Sequence, residues 1–129
     1  MTRLIAILAL CAAPAAAAPL ASPRAEADLA CAAFLAWRAD YGRPVTSVDP
    51  STQSELFASA MAAESDATGT DMLDLIGSLQ DRMRVLQNAY QRAEDTGFAT
   101  IDGLSISADD LPDLARSCGD EGATAVAGD

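Results

Sequence analysis

Asp102, Asp109, Asp110 and Asp113 form the densest acidic cluster in the chain. Two carboxylates held close can divide into a proton donor and a proton acceptor, the arrangement a hydrolase uses, and the same groups can hold the hydroxyls of a carbohydrate. Helix capping is a simpler use. Asp110 at the start of a helix and Asp113 in its first turn would meet orphan backbone N–H groups and the positive end of the helix. With no partner base or pocket aromatics nearby in the sequence, no catalytic residue is assigned and no enzymatic role is expected. Glu64-Ser65-Asp66-Ala67-Thr68-Gly69 matches the first half of a calcium loop, with oxygen-bearing side chains at positions one, three and five and glycine at six. Position twelve is Leu75, where a bidentate Glu is required, so no metal site is expected and the segment reads as a helix-breaking turn. Trp37 and Tyr41, with Arg38 between them, could form a small recognition patch, although a chain this poor in large side chains has more use for them in a core.

The chain has no histidine and no lysine, and its eight basic residues are all arginine. Absence of histidine removes the commonest general base, the Ser/His and Cys/His nucleophile pairs and the usual ligand for zinc or copper. No cofactor is implied. Nineteen acidic residues against eight basic ones leave a formal charge of −11. That imbalance argues against nucleic-acid binding and against docking on an anionic membrane, both of which need a basic face.

The opening Met1-Thr2-Arg3, the apolar run Leu4 to Ala13 and the alanines broken by Pro14 and Pro19 compose a secretory signal peptide over residues 1–17, cut after Ala17. The run is about half the twenty residues a membrane-spanning helix needs, so stable membrane insertion is not expected and the address is periplasmic or secreted. Cleavage would remove Arg3 and Cys11, taking the formal charge from −11 to −12 and leaving Cys31 and Cys118 in an oxidising compartment. Their only intramolecular pairing is with each other.

The remaining residues suit one domain. Alanine-rich, aromatic-poor composition favours closely packed helices over a β-sandwich. Residues 18–24, with Pro19 and Pro23, read as an extended lead-in. Cys31, Phe34, Leu35, Arg38 and Tyr41 recur at three- and four-residue steps, as along one face of a helix from about Ala25 to Tyr41 that Gly42 and Pro44 stop. A second helix begins at Asp49-Pro50 or at a capping box Thr52-Gln53-Ser54-Glu55, and breaks at Ala67-Thr68-Gly69. The longest runs from about Asp71 to Asp95, carrying the stripe Met72, Ile76, Leu79, Met83, Leu86, Tyr90 and Ala93. That stripe can face the core or dock a partner helix, so Trp37, Tyr41, Met72, Ile76, Leu79, Met83 and Leu86 are the candidate partner-binding residues. Phe98 to Ile106 admits a tiny hairpin with Asp102-Gly103 at its turn or a loop pinned by two isoleucines, and its shortness favours the loop. A last helix starts at Asp110 and ends at Gly119, leaving 120–129 as a disordered tail. The expected architecture is all-α: a small four-helix domain over 25–119 with at most a tiny hairpin near 100–106, closed by Cys31–Cys118.

Two segments carry a family likeness. Cys31-Ala32-Ala33-Phe34-Leu35 and Leu111-Pro112-Asp113-Leu114-Ala115-Arg116-Ser117-Cys118 resemble the cysteine-bearing helices of the periplasmic acid-stress chaperones of the Hde family. The segment between the cysteines is longer here, and that family's lysine-rich tail is missing. The resemblance implies a small helical domain with one disulfide that binds other periplasmic proteins in acid. A carboxylate-based hydrolase or carbohydrate-binding protein, and an accessory subunit of an envelope complex, are the competing expectations.

Overall fold

The computed structural model describes residues 19–41, 49 and 51–126. The expected signal peptide over 1–17, the expected stop at Gly42 and Pro44, and the last three residues of the expected tail lie outside the described residues. Four helices and one two-stranded hairpin follow in the order α1 (Pro23–Asp40), α2 (Thr52–Thr68), α3 (Met72–Thr96), β1 (Phe98–Ile101), β2 (Leu104–Ser107) and α4 (Asp110–Val126). No described helix is long and apolar enough to cross a membrane.

α1 starts earlier than its apolar spacing predicts. The Ser22 side chain accepts from the Ala25 N–H at 3.1 Å and Pro23 occupies the first turn, where its missing N–H costs nothing, so the end of the supposed lead-in is helix. Every residue from Cys31 to Trp37 is buried, about two full turns. Over these turns the helix is thus enclosed around its circumference instead of along one face, because Ala32, Ala33 and Ala36 let α2, α3 and α4 approach it closely. Phe34, Trp37 and Tyr90 fill the space between α1 and α3, with Phe34 edge-on to Tyr90 at 5.4 Å between ring centroids.

α2 begins without the proposed capping box: Thr52 is its first helical residue and is buried. The turn before it is fastened by Asp49, whose carboxylate accepts from the Ser51 N–H at 2.9 Å and hydroxyl at 2.8 Å. Those bonds hold the Asp49 carboxyl below its ordinary range. α2 and α3 both end on glycines in the left-handed region, Gly69 and Gly97, which a side chain would strain.

Phe98 to Ser107 is a hairpin and not a loop. Phe98 pairs with Ser107 and Ile101 with Leu104, and Asp102 and Gly103 both take positive φ in the two-residue turn. A hairpin this short is marginal alone. It persists because Ala99 is buried against Ala89 and Ala93 of α3, with Ile101 and Ile106 packed alongside. At the other end, α4 runs through Gly119 to Val126 instead of stopping at the glycine, so most of the supposed tail has a helical backbone. A helical glycine costs only about 1 kcal/mol relative to alanine and does not oblige a stop.

The disulfide Cys31–Cys118 joins the central helix to the last one across 87 residues, with both sulfurs in the main core cluster. Closing a loop of that length removes about 4–5 kcal/mol of unfolded-chain entropy in the loop-closure model. Replacing both cysteines by serine should therefore lower the unfolding free energy by several kcal/mol in urea titrations. A double variant within about 1 kcal/mol of the parent would show that the bridge is not a principal support.

Candidate functional site

α3 carries a charge in its buried stripe. Leu75, Leu79, Leu86, Tyr90 and Ala93 face inward, and between Leu79 and Leu86, at steps of three and four, sits Arg82, only 3 % exposed. An ion in that position requires partners, since an unpaired buried guanidinium costs several kcal/mol. Glu26, on the first turn of α1, accepts from Arg82 Nε at 3.0 Å and from Nη2 at 2.7 Å. Asp102, on the hairpin turn, accepts from the same Nη2 at 2.5 Å. Glu26 also accepts from the Leu20 N–H at 3.0 Å. Burial opposes the Arg82 charge, but the bonds from Glu26 and Asp102 prevail and hold the guanidinium above its ordinary value. One side chain thus ties α1, α3 and the hairpin together.

A second carboxylate finishes the α1 end. Glu64 of α2, also buried, accepts from the Ala21 N–H and the Ser22 N–H, both at 2.9 Å, so orphan donors at the helix start are met by a charge that the helix end favours. The rest of the supposed calcium loop is a helix end: Thr68 donates to the Glu64 carbonyl and Ser65 to that of Thr70. Among the described residues no group of three or more metal-ligating side chains converges.

Beside the Arg82 cluster runs a groove of about 580 Å³ whose walls are mainly apolar: Ala27 and Ala30 of α1, Leu86 of α3, Ile101 and Ile106 of the hairpin, and Leu114 of α4. Tyr90 lines it too, its hydroxyl donating to the Ala30 carbonyl at 3.0 Å. Burial pushes the Tyr90 phenol well above the ordinary 10, Glu26 pushes the same way, and Arg82 opposes them.

The seven candidate partner-binding residues do not share one surface. Trp37, Leu79 and Leu86 are buried in the core, Ile76 and Met83 are half-buried, and Tyr41 and Met72 are exposed. Leu86 reaches the groove beside Arg82, Met83 a separate one with Phe57 and Gln53, and Trp37 a third with Leu111 and Pro112. The acidic cluster is dispersed as well. Asp102 turns to Arg82, Asp110 accepts from the Ser107 N–H at 2.9 Å, and Asp113 pairs with Arg116 on an exposed stretch of α4. The residues that sequence reasoning missed are Arg82, Glu26 and Glu64. A signal for the first existed: Arg82 falls at the inward phase, three after Leu79 and four before Leu86.

Arg82→Ala should destabilise the fold by about 3 kcal/mol, since it strands two carboxylates at the edge of the core. Asp102→Asn, at a side chain one-third exposed, should cost about 1 kcal/mol. Equal costs in urea titrations would place the guanidinium in solvent. In alkali, a phenol whose folded pKa is raised adds stability that is intact below the ordinary value and is lost as pH rises above it. Tyr90 should therefore ionise only as the chain unfolds, read as tyrosinate absorbance rising together with loss of helical ellipticity. Full ionisation of both tyrosines in the folded protein would contradict its burial.

No protein-family model, characterised protein or solved structure matches the chain.

Proposed function

We propose that this chain is an exported, protein-binding helical domain of the periplasm that protects other proteins in acid. The observation that carries the reading is the Arg82 cluster: the hairpin that forms one wall of the apolar groove is held to α3 by a carboxylate on a buried guanidinium. The guanidinium keeps its charge across the accessible pH range, so the hairpin is held only while an anionic partner faces it. Withdrawing those negative charges leaves Arg82 buried without countercharge, which favours release of the hairpin and exposure of Leu86, Ile101, Ile106 and Leu114.

The charge balance supports the same reading. At about pH 2–3 carboxylates of ordinary acidity are neutral, and the cleaved chain would swing from strongly negative to a formal charge near +7 from its remaining arginines. Cys31–Cys118 does not depend on pH in this range and would keep α1 and α4 together while the periphery loosens. Dispersal of Asp102, Asp110 and Asp113 into separate pairings speaks for a binding role over a carboxylate-based hydrolase.

The purified cleaved chain should suppress light scattering by an acid-unfolded client at about pH 2–3, and should bind a hydrophobic dye there but not at neutral pH. Unchanged client aggregation at equimolar protein would refute the acid-protection role.

A further inference from the structure

The groove beside Arg82 displays its charges unequally. The Arg82 side chain is 4 % exposed, whereas those of Glu26 and Asp102 are 25 % and 33 % exposed. The positive member is therefore buried behind the two negative ones, and two carboxylates on one guanidinium leave a net charge of −1. One and two turns further along α3 come Leu86 and Tyr90, so the acidic end continues into the apolar walls. From this charge complementarity we propose that the groove docks a segment of a partner protein in which a lysine or arginine lies next to aliphatic residues. The basic side chain meets the solvent-exposed edges of the Glu26 and Asp102 carboxylates, while the aliphatic ones lie against Leu86, Ile106 and Leu114. An acidic segment of equal hydrophobicity is rejected, because it would bring a carboxylate against two others with the guanidinium already engaged. The inference rests on the reading of the domain as protein-binding and adds the chemistry of the segment it selects.

Three labelled peptides test this at neutral pH and low salt: one alternating leucine and lysine, one leucine and glutamate, one serine and lysine. Their binding to the cleaved, disulfide-bonded chain is read by fluorescence anisotropy, and the site by amide chemical shifts. The leucine–lysine peptide should bind at least about tenfold more tightly than either other, with shifts concentrated at Ala27, Ala30, Ile101 and Ile106. Ala27 lies on the groove wall at an exposed helical position, so Ala27→Lys should keep the helical ellipticity and weaken that binding about tenfold, while Ala27→Glu should not weaken it. Equal binding of the lysine and glutamate peptides, shifts lying elsewhere, or indifference to Ala27→Lys in a folded variant would each overturn the assignment. Client protection in acid without this peptide preference removes the groove assignment alone. The preference without acid protection upholds it and removes the acid role.

Discussion

Placing a guanidinium in the interior of a small helical domain constrains nearly everything around it. Arg82 cannot face the core unless anionic partners come to it, and the two that do arrive from opposite ends of the folded chain, Glu26 from the start of α1 and Asp102 from the hairpin beyond α3. A leucine at this position would pack against either neighbour without regard to register. The guanidinium instead accepts only arrangements that bring both carboxylates to its Nε and Nη2 edge, which sets how far α1 slides along α3 and where the hairpin turn must lie. Among the described residues no buried side-chain nitrogen or oxygen lacks a partner, so the arrangement is complete.

The hairpin shows what that constraint accomplishes. Its Asp-Gly pair has the local chemistry of a tight turn, with both residues at positive φ, yet four residues per strand are too few to persist unaided. Ala99 against α3 supplies apolar contact along one side and Asp102 supplies an ionic anchor at the tip. Asp102 therefore serves twice, tolerating the left-handed backbone as few residues do and carrying the charge that reaches Arg82.

These tertiary effects separate what the sequence disclosed from what it hid. Helix number, the break at Gly69, and the pairing of Cys31 with Cys118 follow from local chemistry and from elimination, and the structure agrees with them. Burial of α1 on all sides between Cys31 and Trp37 was hidden, because periodicity registers large residues and cannot tell an outward alanine from one pressed against a neighbouring helix. The phase of α3 was misjudged for a related reason: a stripe drawn only through apolar residues passes through Met72, which is exposed, and omits Arg82, which is not. The hairpin and the extension of α4 past Gly119 depend on contacts or on accumulated helix propensity that no short window contains.

Carboxylates hold several of the joints between elements and several helix starts. Glu64 binds the backbone at the start of α1, Glu26 and Asp102 close the Arg82 cluster, and Asp28 accepts from Ser59 of α2. Asp49 fastens the turn before α2, Asp71 accepts from the Leu73 N–H at the start of α3, and Asp110 holds the Ser107 N–H before α4. The centre is built otherwise, from alanine-mediated contact around α1, the Phe34, Trp37 and Tyr90 rings, and a disulfide. A bond to an ionised carboxylate is stronger than a neutral one and weakens on protonation, whereas burial of Phe34 or Leu79 does not depend on proton concentration. The joints thus rest on charge and the stacked interior on apolar contact and a covalent bond, two kinds of support with different physical origins.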